Sequence, residues 1–436
     1  MENAGVVSQT DQKSVLVAGA GILLFFAIAL GIAMPLVEAV VYPTYFTMME
    51  RPSIEISRII ELPYVLFEIG FILWAGRNGF DLSGKLNKLP RDIAIAAFVL
   101  LLAIFVSSAI IATNKPFSMT HALMWIVHLV FAMAVYDVLV RNRAMPDGRF
   151  LFWHGVGLAI LALYTAYWFL TVPPADTLPF GEIRLRGAVP GWIDVRHFGS
   201  WTGAITAGFA IAILYGPGGK GLWWARLLYL LSAGLTVWTG TRAAILAVIV
   251  ITLVFLAITR RLPEWRRIVW AAAMTMLACA LAYLLLPDDP VFHLIKPSEL
   301  ESASNLTRTR WMLWSGSIEV WLRSPWFGLG SGSIFWEYAP DYTPTQPHNV
   351  IIQFLMSWGV VGAAAGLWIL LRAIRAVHKA GRLLPITYPI LAMVYALLFQ
   401  SLLEGMLHYP RFIVSIMVGG AIVLAAAHAT QSRKAS

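Results

Sequence analysis

The sequence predicts an all-α, polytopic membrane protein of about twelve transmembrane helices, and three observations lead there. The 436 residues are 59% hydrophobic and 13% charged, with a mean hydropathy of +0.73, whereas soluble domains carry roughly a quarter charged residues. Apolar runs of about 20 residues recur along the chain, each long enough to cross a hydrocarbon core of roughly 30 Å as a helix. The dyad alternation that marks barrel strands is missing.

Taken in order, the expected spans are 15–36, 59–76, 92–112, 120–140, 150–172, 198–216, 222–239, 243–259, 268–287, 350–371, 386–406 and 410–428. The first follows MENAGVVSQTDQKS, which lacks a basic region ahead of a cleavage site, so it reads as a retained helix. An even number of spans puts both termini on one side, and the basic residues choose which. Lys13, the loop 77–91, Arg141, Arg143, Arg149, Lys220, Arg226, the loop 259–267, the stretch 372–382 and Arg433/Lys434 share one face. Together they hold 20 of the 32 Lys and Arg. Short loops rich in Lys and Arg face the cytoplasm, so both termini are expected there.

The same distribution argues against nucleic acid as partner of a chain with net charge +9, because the cations sit in short loops between spans. The only cysteine, Cys279, lies in an apolar run, which excludes an intrachain disulfide and a thiolate metal cluster. Nothing marks a separate soluble domain, and residues 1–436 read as a single integral membrane domain.

One segment departs from the pattern. Residues 288–349 form a large loop between the ninth and tenth spans, on the face opposite the termini and hence exoplasmic. It holds five tryptophans, two histidines, several arginines and two glycine-rich turns. Within it, Trp311, Trp314, Ile318 and Trp321 recur at helical spacing, which predicts an amphipathic surface helix with Arg308 and Arg310 near its N-terminal end. Two smaller segments share that face: TMMERPSIEISRII, a second amphipathic candidate, and 173–197 with Arg184, Arg186 and Arg196.

Arg242 stands in TGTRAAILAV, where one span ends and the next begins within about four residues, a hairpin tight enough to hold the side chain at the membrane surface. Arg196, in DVRHFGS, has a similar place. The plain reading makes these arginines anchors that snorkel to lipid phosphate, or partners of loop carbonyls and of Asp194, Glu299 or Glu319. The functional reading is that guanidinium forks gathered at an interface bind multiply charged oxyanions, and a phosphate-bearing lipid head is the natural ligand. His121, His128 and His154 fall inside spans and read as packing groups. His348 is different, because it ends a proline-rich loop and precedes a span. An imidazole there suits a general base, and Asn349 can cap the following helix and fix it in place. No HExxH, cysteine pair or GxxxxGK[ST] occurs, so no metal and no cofactor are expected.

In this order, TGTRAAILAV, TRTRWMLWSGSIEVWLRSPWFGLGSGSIFW and PHNVIIQFLMSWGVVGAAAGLW resemble the O-antigen ligase and O-antigen polymerase superfamily. The shared pattern is an arginine at a tight hairpin (Arg242), Arg…Trp in a long periplasmic loop (Arg308 or Arg310) and P-x-x-G-x-G-x-G (325–332). It continues with His348-Asn349 ahead of a helix ending in a G-x-x-G turn (Gly359, Gly362). The likeness covers roughly residues 190–410, and span count and loop position look most like the lipopolysaccharide O-antigen ligase. The resemblance implies a GT-C-like glycosyltransferase of the bacterial inner membrane with its active site on the periplasmic face. It would move O-antigen from undecaprenyl pyrophosphate to lipid A–core without metal or nucleotide. On that footing Arg196, Arg242 and one of Arg308 and Arg310 hold the pyrophosphate, with Arg184, Arg186 and Arg411 open for the rest. His348 is the base, and single displacement inverts the sugar. Trp311, Trp314, Trp326, Trp336, Tyr338 and Tyr342 line a sugar path or anchor the interface. O-antigen polymerase and protein O-oligosaccharyltransferase are the near alternatives. A lipid-linked glycan flippase is a different class, against which the one-sided placement of the charged residues argues.

Overall fold

The computed structural model describes residues 9–42, 61–171, 189–192, 194–216, 223–285, 298–333 and 346–435, and every regular element among them is helical. Helix α1 (Gln9–Ile28) runs through a π-helical turn (Ala29–Ala33) into α2 (Met34–Val41). Next come α3 (Leu62–Arg77), the short α4 (Leu82–Leu86) and α5 (Arg91–Phe105), which closes in a second π-helical stretch (Val106–Ile111). Long α6 (Lys115–Arg141) and α7 (Arg149–Thr171) precede α8 (Val195–Tyr215), α9 (Trp223–Trp238), α10 (Arg242–Thr259) and α11 (Trp265–Leu284). Helix α12 (Ser298–Trp321) is followed by α13 (Val350–Gly381), α14 (Tyr388–Gln400) and α15 (Pro410–Ala435).

Among the described residues, nine helices are long and apolar enough to cross a membrane. The three remaining expected spans form the shorter helices α3, α9 and α14, of 16, 16 and 13 residues. The span expected at 386–406 is interrupted. Helix α14 stops at Gln400, and residues 401–409 make a turn containing a 3-10 helix at Met406–His408.

Helix starts carry the chemistry their exposed N–H groups require. Asn114 Oδ1 accepts from Phe117 N at 3.2 Å to cap α6, and the side chain of Asp194 accepts from Arg196 N at 2.8 Å to cap α8. Helix α8 is the hub, with 89% of its most apolar window buried against α9, α10 and α14, while α11, at 11%, lies on the rim. Small residues (Gly199, Gly203, Ala207) line α8, and a hydroxyl ladder, Thr202, Thr206 and Thr236, ties it to α9 at 3.0–3.1 Å. Close backbones joined by small polar side chains are what helix pairs use when lipid removes the hydrophobic drive between them.

Helix α13 is broken. Gly359 sits at φ 63°, ψ −170°, a conformation open essentially to glycine alone. The break leaves carbonyls above it and N–H groups below it without helical partners, and residues 325–330 supply them. Leu329 N and Gly330 N donate to Met356 O and Ser357 O at 2.7 and 3.0 Å, while Val360 N and Val361 N donate to Pro325 O and Trp326 O at 2.9 and 3.2 Å. The glycine-rich segment 325–333 is therefore lodged in the helix bundle, not projected from it. Ser331 bonds Ser108 and the Trp358 indole at 3.1 and 2.8 Å, and Gly332 lies so close to His121 that a Cβ would sit 2.4 Å from the ring. Non-helical backbone at such depth is tolerated where protein covers it. The G-x-x-G read as a helix-ending turn is a mid-helix socket, since α13 continues to Gly381.

Candidate functional site

Five helix ends meet at one end of the bundle. At the start of α8, Arg196 O accepts a hydrogen bond from Thr241 Oγ1 at 3.3 Å, and Thr241 in turn meets Thr239 Oγ1 at 2.9 Å. The hairpin between α9 and α10 is thus fastened to the first turn of α8, which brings Arg196 and Arg242 onto neighbouring helix starts, both with exposed side chains. The positive end of the helix dipole favours anions at such ends, and at α8 the Asp194 carboxylate already takes one N–H.

The second part of the site is the join between 346–349 and α13. Asn349 Oδ1 accepts from Ile351 N and Ile352 N at 2.9 and 3.2 Å, while its Nδ2 donates to Leu402 O at 3.0 Å. Val350 N donates to Ser401 O at 2.9 Å, so the turn after α14 and the start of α13 hold each other. Trp314 Nε1 donates to Pro347 O at 2.9 Å and ties α12 to the same place. Between these fastenings His348 takes φ 51°, the left-handed region that non-glycine residues seldom occupy. Its Nδ1 lies 3.0 Å from Glu404 Oε2, a charge contact out of line for a well-formed hydrogen bond.

Glu404 was not among the residues expected from sequence. Its buried carboxylate receives both His348 and Arg310, whose guanidinium also donates to Leu403 O. Burial alone would raise its pKa, but His348 and the Arg310 guanidinium pull it down to about 2. The carboxylate is therefore ionised at neutral pH. Arg310 has thereby the bland partners weighed for it, a loop carbonyl and a carboxylate, although the carboxylate is Glu404 and not Glu299 or Glu319. The lone acid in SLLEGMLHYPR was the available signal.

The two parts touch. Gln400 Nε2 donates to Ser200 O at 3.2 Å, and the His197 ring packs on Tyr409 at 4.6 Å between centroids. Arg411, left open as a phosphate ligand, is buried instead. It donates from its backbone to Glu61 Oε2 at 2.7 Å, from Nη2 to Gly191 O at 2.8 Å, and lies 4.0 Å from the centroid of Trp192. Its task is to pin α15 to α3 and to the chain leading into α8. Of the aromatic candidates, Trp311 and Trp326 are exposed and Trp314 is fastened to Pro347. Trp336, Tyr338, Tyr342, Arg184, Arg186, the amphipathic candidate at 47–60 and the Arg308 side chain lie outside the described residues.

An apolar groove of about 660 Å³ opens at this end between α7, α8, α9 and α11. Phe198, Leu231, Trp238 and Leu285 line it, two of them within four residues of Arg196 and Arg242. No three His, Cys, Asp or Glu side chains among the described residues are arranged to hold a metal. Arginine forks, an ionised Glu404 beside His348 and an adjacent apolar groove suit an amphiphile with an anionic head.

A comparison with curated proteins finds no match. Residues 227–367 match the family model described as O-antigen ligase, a segment that carries Arg242, Arg310 and His348 together with the glycine-rich socket. Over that third of the chain the protein is similar to the O-antigen ligase family.

Proposed function

We propose that the protein is an O-antigen ligase, which transfers O-antigen from undecaprenyl pyrophosphate to a sugar hydroxyl of lipid A–core. The observation that carries the reading is His348, which lies inside the family's segment and is set against the ionised Glu404 of a turn whose ends pack on the first turns of the helix bearing Arg196. The negative charge of Glu404 beside Nδ1 favours the tautomer with the proton on that nitrogen and leaves the Nε2 lone pair to take the proton of the attacking hydroxyl. The acceptor oxygen bonds to the anomeric carbon as the bond to the pyrophosphate oxygen breaks, which inverts that carbon. Arg196 and Arg242 stabilise the charge gathering on the leaving pyrophosphate, work that a divalent ion performs elsewhere. The apolar groove beside them suits the prenyl tail.

Purified protein, lipid-linked O-antigen and lipid A–core, mixed in EDTA, should give a shifted lipopolysaccharide ladder. His348→Ala should retain donor binding and lose transfer by about 10²–10⁴-fold, the usual share of a general base. Arg242→Ala should instead weaken donor affinity. Ligation at the parental rate in His348→Ala overturns the assignment of the base. Lengthened lipid-linked glycan without lipopolysaccharide product would make the protein a polymerase, and transfer to a peptide hydroxyl would make it a protein glycosylating enzyme.

A further inference from the structure

A second apolar recess lies at the other end of the helices. It is a groove of about 920 Å³ between α1, α3 and α6, near the upper limit of ordinary ligand pockets at roughly 1,000 Å³. Phe25, Phe67, Phe71 and Trp74 form its wall, and Phe25 stacks on Phe67 and Phe71 at 6.0 and 6.4 Å between centroids. Gly21 and Gly70 leave the space open, since a Cβ built on either would meet nothing within 4 Å. The wall is accessible from the bilayer side, with Phe25 48% and Trp74 45% exposed.

One end of the groove is polar and basic. Asn78, Arg141 and Asn142 close it, and Arg141 donates to Asn78 O. Asp137 is shared between Arg141, at 2.8 Å, and Lys85, so two cations stand on one carboxylate and a positive charge is left over. Arg77 and Arg143, both exposed, end α3 and follow α6 at the same level. An amphiphile seated here would meet aromatic rings along its body and surplus positive charge at its head.

We propose that this groove binds one anionic glycerophospholipid, with its phosphate at Arg141 and an acyl chain along Phe71 and Phe25. The site is separate from the His348–Glu404 end and does not depend on the glycosyl transfer proposed above. Basic side chains at a lipid surface favour anionic heads, and apolar rings hold chains whatever the head.

The full-length protein, purified in mild detergent and mixed with phosphatidylglycerol, phosphatidylethanolamine or a polyprenyl phosphate, would be weighed by native mass spectrometry. Phosphatidylglycerol should be retained about fivefold over phosphatidylethanolamine, the ratio expected for one basic side chain at a lipid surface. Gly70→Leu should abolish the adduct by filling the groove, and Gly21→Leu gives the same reading should the first variant not fold. Arg141→Gln should bring the two lipids to equal retention while leaving the chains bound. Equal retention by the parent protein, retention unchanged in both leucine variants, or a preference for the polyprenyl phosphate that Gly70→Leu removes would overturn the proposal.

Discussion

At Glu404, burial and charge pull in opposite directions and charge wins, holding the carboxyl near pKa 2. At His408, four residues on, burial and neighbouring histidines act together and lower it from 6.5 to about 3, so it stays neutral. The two respond to acid with the same sign over different windows. Unfolded His408 takes up a proton below about pH 6.5 and the folded residue does not until about pH 3, so stability falls across that range. Glu404 adds its loss lower, between about pH 4.5 and pH 2, where only the unfolded carboxyl is protonated. Melting temperature in detergent should therefore decline from pH 6.5 downward, and His408→Gln should flatten the upper part of that decline. Glu404→Gln keeps the shape and removes the charge. With Arg310 and His348 each about 30% exposed, the stability cost should be only about 1–3 kcal/mol. Transfer should fall far more than such a loss explains, which single-turnover rates on folded protein would show.

Among the elements, α13 departs furthest from what its sequence suggests. Gly359→Ala demands a φ/ψ that alanine does not tolerate and places a Cβ 2.2 Å from the Trp326 carbonyl carbon. A loss on the order of 3 kcal/mol is expected. Gly366→Ala is the control, since its Cβ would lie 3.5 Å from the Trp358 ring in ordinary contact, and it should melt within a degree or two of the parent. Helix positions, the Asn349 cap and the placing of Arg196 and Arg242 on one face were legible in the sequence, because apolar runs, capping residues and tight hairpins are local signals. The socket at Gly359 was not. Its partner strand of backbone lies about thirty residues upstream, and glycines spaced by one residue announce positive φ without saying what will press against them. Glu404 was hidden for the same reason: apolar residues on both sides carried the expected span past it, and its partner Arg310 is 94 positions away.

For the molecule as a whole, Arg411 and Glu61 act as a bolt between α15, α3 and the short chain 189–192 that leads into α8. Arg411→Ala strands a buried carboxylate and should cost about 3–5 kcal/mol, read as a fall in melting temperature. Donor affinity per folded molecule should stay unchanged, whereas a pyrophosphate ligand at this position would lower it. Arg411→Lys restores charge but not the fork, and should recover only part of the stability.

The socket in α13 also sets an order of events. Residues 325–333 leave the ribosome before α13 does, yet their N–H and C=O partners belong to α13. Until α13 arrives, that backbone has only water or headgroups to bond, and the segment must wait at the interface. Helix α13 can first enter the bilayer as a rod that bonds only to itself. Docking then exchanges helical bonds around Gly359 for bonds to the waiting loop, which makes closure of the socket a late step of biogenesis, and a natural point for quality control to inspect.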